Sequence, residues 1–90
     1  MPQTAQIALM GRIAGQQDEG GKLAALGQAI RARRREMHLS QEALAHAAGI
    51  DRSHMGKIER GERNLTMLNV VRIASALSFS ASELLAKAEL

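Results

Sequence analysis

The segment from Ser40 to Gly61, SQEALAHAAGIDRSHMGKIERG, constrains the fold more than any other part of this 90-residue chain. Ser40 is suited to cap one helix, Gly49 to end it in the left-handed conformation, and Asp51 to cap the next helix. The link between the two helices is then only three residues long. Helices joined so tightly must cross steeply, with small side chains at the crossing and bulkier apolar ones beside it.

The apolar residues of this segment suit such a crossing. Ala45 is small enough for the contact point, and Ile50 fills the turn. Leu44, Met55 and Ile58 supply the flanking bulk. The major groove of B-DNA admits one α-helix, along which hydrogen-bonding side chains distinguish all four base pairs. The pattern therefore predicts a DNA-reading helix whose outward residues are mostly polar or cationic, namely Arg52, Ser53, His54, Gly56, Lys57 and Arg60.

The remainder of the chain predicts an all-α fold of five helices. From Leu23 onward the apolar residues recur at helical spacing, and no stretch alternates as a strand would. The first helix is expected over residues 23–37, the fourth from Thr66, and the fifth from a capping box at residues 80–83. Phe79 is the single aromatic residue, so the core must be aliphatic.

Charge and composition narrow the function. The net charge is +3, and eight of the twelve basic residues lie between Arg31 and Arg63, a concentration that suits a polyanion partner. We interpret the arginine run within the first helix as a solvated face rather than a nucleic-acid-binding run. That run comprises Arg31, Arg33, Arg34 and Arg35.

Several classes of site are excluded by residue types. The absence of cysteine removes disulfides, thiolate metal sites and cysteine nucleophiles. His38, His46 and His54 fall on separate predicted elements without clustered carboxylates, so we expect no metal and no cofactor. Ser53 precedes His54, but neighbours on a helix point about 100° apart and cannot act as nucleophile and base. We therefore expect a protein that is not an enzyme.

The sequence also carries no membrane signal. No apolar run reaches the roughly 18 residues of a membrane span. The opening residues, MPQTAQIALMGR, lack the basic start and the continuous apolar stretch of a signal peptide. We expect a cytoplasmic location.

From Leu26 to about Leu85 the chain resembles the lambda-repressor-like (Cro/cI, or XRE) helix-turn-helix family. The run LSQEALAHAAGI followed by RSHMGKIERGERN renders the family pattern, and IASAL corresponds to its A-x-x-L-type run. Among the members it is similar to small stand-alone regulators, including the controller proteins of restriction-modification systems. The resemblance implies a sequence-specific transcriptional regulator that binds a partly palindromic DNA operator as a homodimer.

The resemblance also implies roles for individual residues. Gln41 would bond a phosphate and brace the recognition helix, and Arg34 would form a salt bridge with Glu59 that ties the first helix to the third. The residues expected to contact DNA are Gln41, Arg52, Ser53, His54, Lys57, Arg63 and Asn64. Those expected at the dimer interface are Phe79, Leu84 and Leu85.

Four positions depart from the family pattern, and one of them is Leu65, which replaces the frequent proline before the fourth helix. His38 replaces the usual glycine at the end of the first helix, and histidine adopts the left-handed conformation less readily than glycine. Arg33 falls on the apolar face, so its stem is expected to pack while its head reaches water. Gly56 is expected at an exposed helix position, where it leaves room for DNA to approach the backbone.

Residues 1–22 are expected to form an N-terminal extension, followed by the helix-turn-helix DNA-binding domain at residues 23–90. Ile7, Met10 and Ile13 have near-helical spacing, so a packed helix, a disordered tail and a DNA-contacting arm all remain open. The same apolar segment leaves an alternative function open. In that alternative the chain is an antitoxin-like module that binds a protein partner through the extension, with DNA binding secondary.

Overall fold

The computed structural model of the protein describes residues 18–90. Within that range the structure contains five α-helices and no strand, which confirms the all-α prediction. The helices are α1 (Lys22–Glu36), α2 (Gln41–Ala48), α3 (Arg52–Glu59), α4 (Met67–Ala76) and α5 (Ala81–Lys87). The expectations for Ile7, Met10 and Ile13 lie outside the described residues.

The helix boundaries follow the capping residues. Four N-caps accept a hydrogen bond from the backbone amide of the following turn, and they are Ser40, Asp51, Thr66 and Ser80. Ser80 and Glu83 form the predicted capping box, and the Ser80 amide lowers the pKa of the Glu83 carboxyl. Gly49 ends α2 with a φ of 69°, which leaves the three-residue link that the sequence predicted.

Asp18 anchors the beginning of α1. Its Oδ1 accepts a hydrogen bond from the Leu23 amide at 2.6 Å, and its Oδ2 accepts one from the Ala24 amide at 2.8 Å. Gly20 and Gly21 form the intervening turn with φ values of 64° and 73°, a region that favours glycine. The carboxylate thereby satisfies two amides that have no partner inside the helix.

The core is aliphatic, as the single aromatic residue predicted. Its largest fully buried side chains come from all five helices and the end of α4, and they are Ile30, Leu44, Met55, Ile73, Leu77 and Leu84. Among residues 18–90, no single helix is long and apolar enough to cross a membrane. Helices α4 and α5 meet the length and composition requirement only as a pair bent by 88°.

The structure shows the conformation of two positions that depart from the family pattern, one within α1 and one just after it. His38 adopts a φ of 57°, so the left-handed conformation expected there is present. Arg33 is half-buried, and besides packing its stem it has partners for its head within the chain. Its Nε donates to the Leu77 carbonyl oxygen at 3.0 Å, and its guanidinium lies 4.5 Å from the centre of the Phe79 ring. Arg33 therefore ties α1 to the junction between α4 and α5.

Candidate nucleic-acid interface

The inner side of α3 is held directly against α1. Gly27 of α1 faces the last turn of α3, where a methyl group on Gly27 would overlap the Glu59 carbonyl oxygen and lie 2.6 Å from that of Ile58. Gly61, with a φ of 74°, approaches Ala24 just as closely after the end of α3. Backbone contact at both places fixes the position of α3 relative to α1.

The expected salt bridge between Arg34 and Glu59 is present and nearly buried. Arg34 Nε donates to Glu59 Oε2 at 2.7 Å, and Arg34 Nη2 donates to Oε1 at 3.0 Å. The two side chains are only 12% and 3% exposed. The hydrogen bond to Glu59 raises the pKa of Arg34, and Arg34 Nη1 also donates to the Leu39 carbonyl oxygen at 3.0 Å. The pair thus joins α1, the chain before α2, and α3.

Gln41 adds α2 to the same network. It is the first residue of α2, and its Nε2 donates to Glu59 Oε1 at 3.1 Å. The bracing expected of Gln41 is therefore seen, whereas its phosphate contact stays a prediction. The expectation that Gly56 is exposed was wrong, because Gln41 and Arg60 cover it. A Cβ on Gly56 would lie 3.3 Å from Gln41 Oε1 and 3.3 Å from Arg60 Nη1.

The outward face of α3 presents two cations, Arg52 and Lys57, that form no hydrogen bond or ion pair with the residues that the structure describes. Arg52 is exposed at the start of the helix and borders an open depression shared with Glu42 and His46 of α2. Lys57 is half-buried one and a half turns later. Across residues 18–90, neither side chain makes a hydrogen bond or an ion pair within the chain. His54, also predicted to read DNA, is half-buried on the same helix.

Ser53 has a hydrogen-bonded hydroxyl instead of a free one. Its Oγ donates to the Asp51 carboxylate, which also accepts from the Ser53 amide at 3.1 Å. The Ser53 hydroxyl is the main reason why the pKa of the exposed Asp51 is lowered. Reading a base through Ser53 therefore requires its hydroxyl to leave or share this cap.

The loop after α3 holds the remaining predicted contacts and one pair that the sequence reading missed. Arg63 is half-buried and Asn64 is exposed. Arg60, at the C-cap of α3, donates through Nε to Glu62 Oε2 at 2.8 Å. Helical pairing rules connect residues three or four apart, so they do not predict an ion pair between residues two apart at the end of a helix. The sequence indicated this surface only through its excess of outward cations.

The predicted dimer-interface residues do not all reach the surface. Leu84 is fully buried within the single chain, so its assignment to the interface is corrected to the core. Phe79 and Leu85 are half-buried against that core. The large exposed apolar side chains on α4 are instead Met67, Leu68 and Val71, at 67%, 57% and 45% exposure.

Two short helices that cross at a tight turn, the second with a cationic outer face, define a helix-turn-helix DNA-binding domain. The chain belongs to the helix-turn-helix family, whose family model matches residues 30–84. It is of the XRE type and is by class a DNA-binding transcription regulator. The family resemblance carried by its sequence motifs is thereby confirmed.

Known relatives agree with this assignment. Control protein C.SmaI of Serratia marcescens is 39% identical over 62 residues, which make up 69% of this chain and 74% of that protein. The restriction-modification controller protein C.AhdI from Aeromonas hydrophila is 44% identical with a TM-score of 0.67, over 69% of this chain and 94% of that one. The clp gene regulator ClgR from Corynebacterium glutamicum is 25% identical with a TM-score of 0.74, over 81% of this chain and 94% of that one.

Proposed function

We propose that the protein is a sequence-specific transcriptional regulator that binds a partly palindromic operator as a homodimer. The observation that carries the proposal is the outer face of α3, where Arg52 and Lys57 have no partner within residues 18–90 while the inner face is locked by Glu59. Such a helix enters a major groove without rearrangement of the domain. A regulator of this kind acts where the DNA lies, which places it in the cytoplasm.

The relatives support a particular kind of regulator. C.SmaI is named a control protein and C.AhdI a restriction-modification controller protein. We accordingly propose that this chain is a small regulator of the controller type. The candidate operator is the DNA immediately upstream of its own coding region, where footprinting would locate the protected sequence.

The homodimer is supported by apolar surface that residues 18–90 leave uncovered. Met67 and Val71 lie one turn apart on the outer side of α4, with Leu68 beside them. A domain of this size buries only part of the surface of its unfolded chain, so a partner subunit supplies useful further burial. We propose that this face of α4 contacts a second copy of the chain, and that Phe79 and Leu85 contribute to the same interface. Two copies related by a two-fold axis would place their α3 helices in successive major grooves, about 34 Å apart.

The proposal is tested by titrating the footprinted duplex with purified protein at several salt concentrations. We expect two chains per duplex and an affinity that falls steeply with salt, because Lys and Arg displace counterions from phosphates. Fluorescence anisotropy measures the affinity, and sedimentation of the complex measures the stoichiometry. An affinity that does not respond to salt would refute the DNA-binding role, and one chain per duplex would refute the dimer.

The assignment of roles on α3 predicts the result of two substitutions. Arg52→Ala or Lys57→Ala should each cost about 1 to 3 kcal/mol of discrimination at one base position, if the side chain bonds a guanine edge. Binding to a panel of duplexes with single base changes measures this discrimination. A variant that loses affinity equally on every duplex would show that its side chain contacts phosphate instead.

A further inference from the structure

The Arg60 and Glu62 pair lies at the edge of the proposed DNA surface. Arg60 Nε donates to Glu62 Oε2 at 2.8 Å, and Arg60 Nη2 lies 3.4 Å from Oε1. Both side chains are more than half exposed, at 57% and 51%. Exposed pairs of this kind stabilise folded chains little, because water screens the charges. A role in holding the fold together therefore does not account for this pair.

The other side of the Arg60 guanidinium faces the point where α2 and α3 meet. Arg60 Nη1 and Gln41 Oε1 each lie 3.3 Å from the position that a Cβ on Gly56 would take. Gln41 is the residue proposed to bond a backbone phosphate from the start of α2. Arg60 therefore presents a planar, multiply donating cation to the same part of the surface, and guanidinium groups bind phosphate oxygens in a bidentate manner.

Glu62 brings a negative charge into a cationic environment. The hydrogen bond from Arg60 is the largest cause that lowers the pKa of Glu62, and the charges of Arg60, Lys57 and Arg63 lower it further. Lys57 and Arg63 are themselves proposed DNA contacts. The carboxylate is thus an anion held by the cations that would otherwise meet a DNA phosphate.

We propose that the Glu62 carboxylate takes the position on the Arg60 guanidinium that a DNA phosphate would otherwise take. Binding to DNA then requires Arg60 to exchange the Glu62 carboxylate for a phosphate oxygen. This inference rests on the proposed function and adds Arg60 as a backbone contact and Glu62 as its internal competitor. Because phosphates are the same in every sequence, the competition weakens binding to all duplexes equally. It also reduces the net counterion release, since the freed carboxylate recruits a cation.

The experiment compares Glu62→Gln with the wild-type protein on two duplexes, the footprinted operator and a scrambled duplex of equal length. We expect Glu62→Gln to bind both about two- to fivefold more tightly at low salt. The slope of log affinity against log salt should become steeper by up to about 0.9. The matched control is Glu36→Gln, which makes the same change of net charge beside Phe79 and Lys87, away from α3.

Arg60→Gln separates the exchange from simple repulsion between Glu62 and DNA. Alone it should weaken binding to both duplexes, and in its background Glu62→Gln should improve affinity by a smaller factor than in the wild type. Equal affinities of Glu62→Gln and Glu36→Gln would overturn the inference while the proposed function stands. So would a gain on the operator with none on the scrambled duplex, since Glu62 would then act on the bases and not on the phosphates. A wild-type protein that binds neither duplex would overturn both.

Discussion

Replacing Arg34 with alanine is expected to lower the free energy of unfolding by about 3 kcal/mol, the lower end of the range for breaking a buried ion pair. The Glu59 side chain, 3% exposed, would keep the Gln41 amide as its one hydrogen-bond donor among residues 18–90. An ionised carboxylate that is poorly solvated and unpaired is costly, and that cost appears in the folded state alone. Urea denaturation followed by far-UV circular dichroism measures the loss.

Two further variants show whether burial is the cause. Arg60→Ala breaks the exposed pair with Glu62, so it should leave the urea midpoint unchanged. Replacing Arg34 and Glu59 together with methionine removes both charges, so the double variant should be more stable than Arg34→Ala. An unchanged urea midpoint for Arg34→Ala would mean that water reaches Glu59 in the variant. The hydrogen bonds of Glu59 to Arg34 would then contribute nothing to stability.

The turn between α2 and α3 was predictable because its determinants are local. Ser40 and Asp51 each satisfy a backbone amide two or three residues away, and Gly49 supplies one backbone conformation. The Arg34 to Glu59 pair spans 25 residues, and no local rule connects two such positions. It was expected only because the family resemblance placed the two residues together.

The errors came from features that depend on how the helices pack. Leu84 follows the same helical spacing whether it faces the core or a second subunit, so the sequence could not separate the two. Gly56 was placed outside together with the polar residues of α3, yet the side chains of Gln41 and Arg60 fold over it. The partners of Arg33, the Leu77 carbonyl and the Phe79 ring, were not predicted because they lie more than 40 residues away.

Replacing Gly27 with alanine is expected to destabilise the protein by about 1 to 3 kcal/mol, although alanine favours a helix by about 1 kcal/mol relative to glycine. The new methyl group would overlap the Glu59 carbonyl oxygen, which belongs to the backbone and cannot turn aside. Helices α1 and α3 must then separate, which strains the nearby ion pair. Because α3 is displaced with its outer face, affinity for DNA should fall as well.

Gly56→Ala is the matched control, since it places the same methyl group on the other side of α3. There the nearest atoms are the ends of two flexible side chains, Gln41 and Arg60, each at 3.3 Å, and both can move by a few tenths of an ångström. We expect Gly56→Ala to keep the wild-type urea midpoint or to raise it, because alanine is the better helix former. Equal midpoints for Gly27→Ala and the wild type would show that α1 and α3 separate at no cost. The close contact of their backbones would then not be what sets the position of the recognition helix.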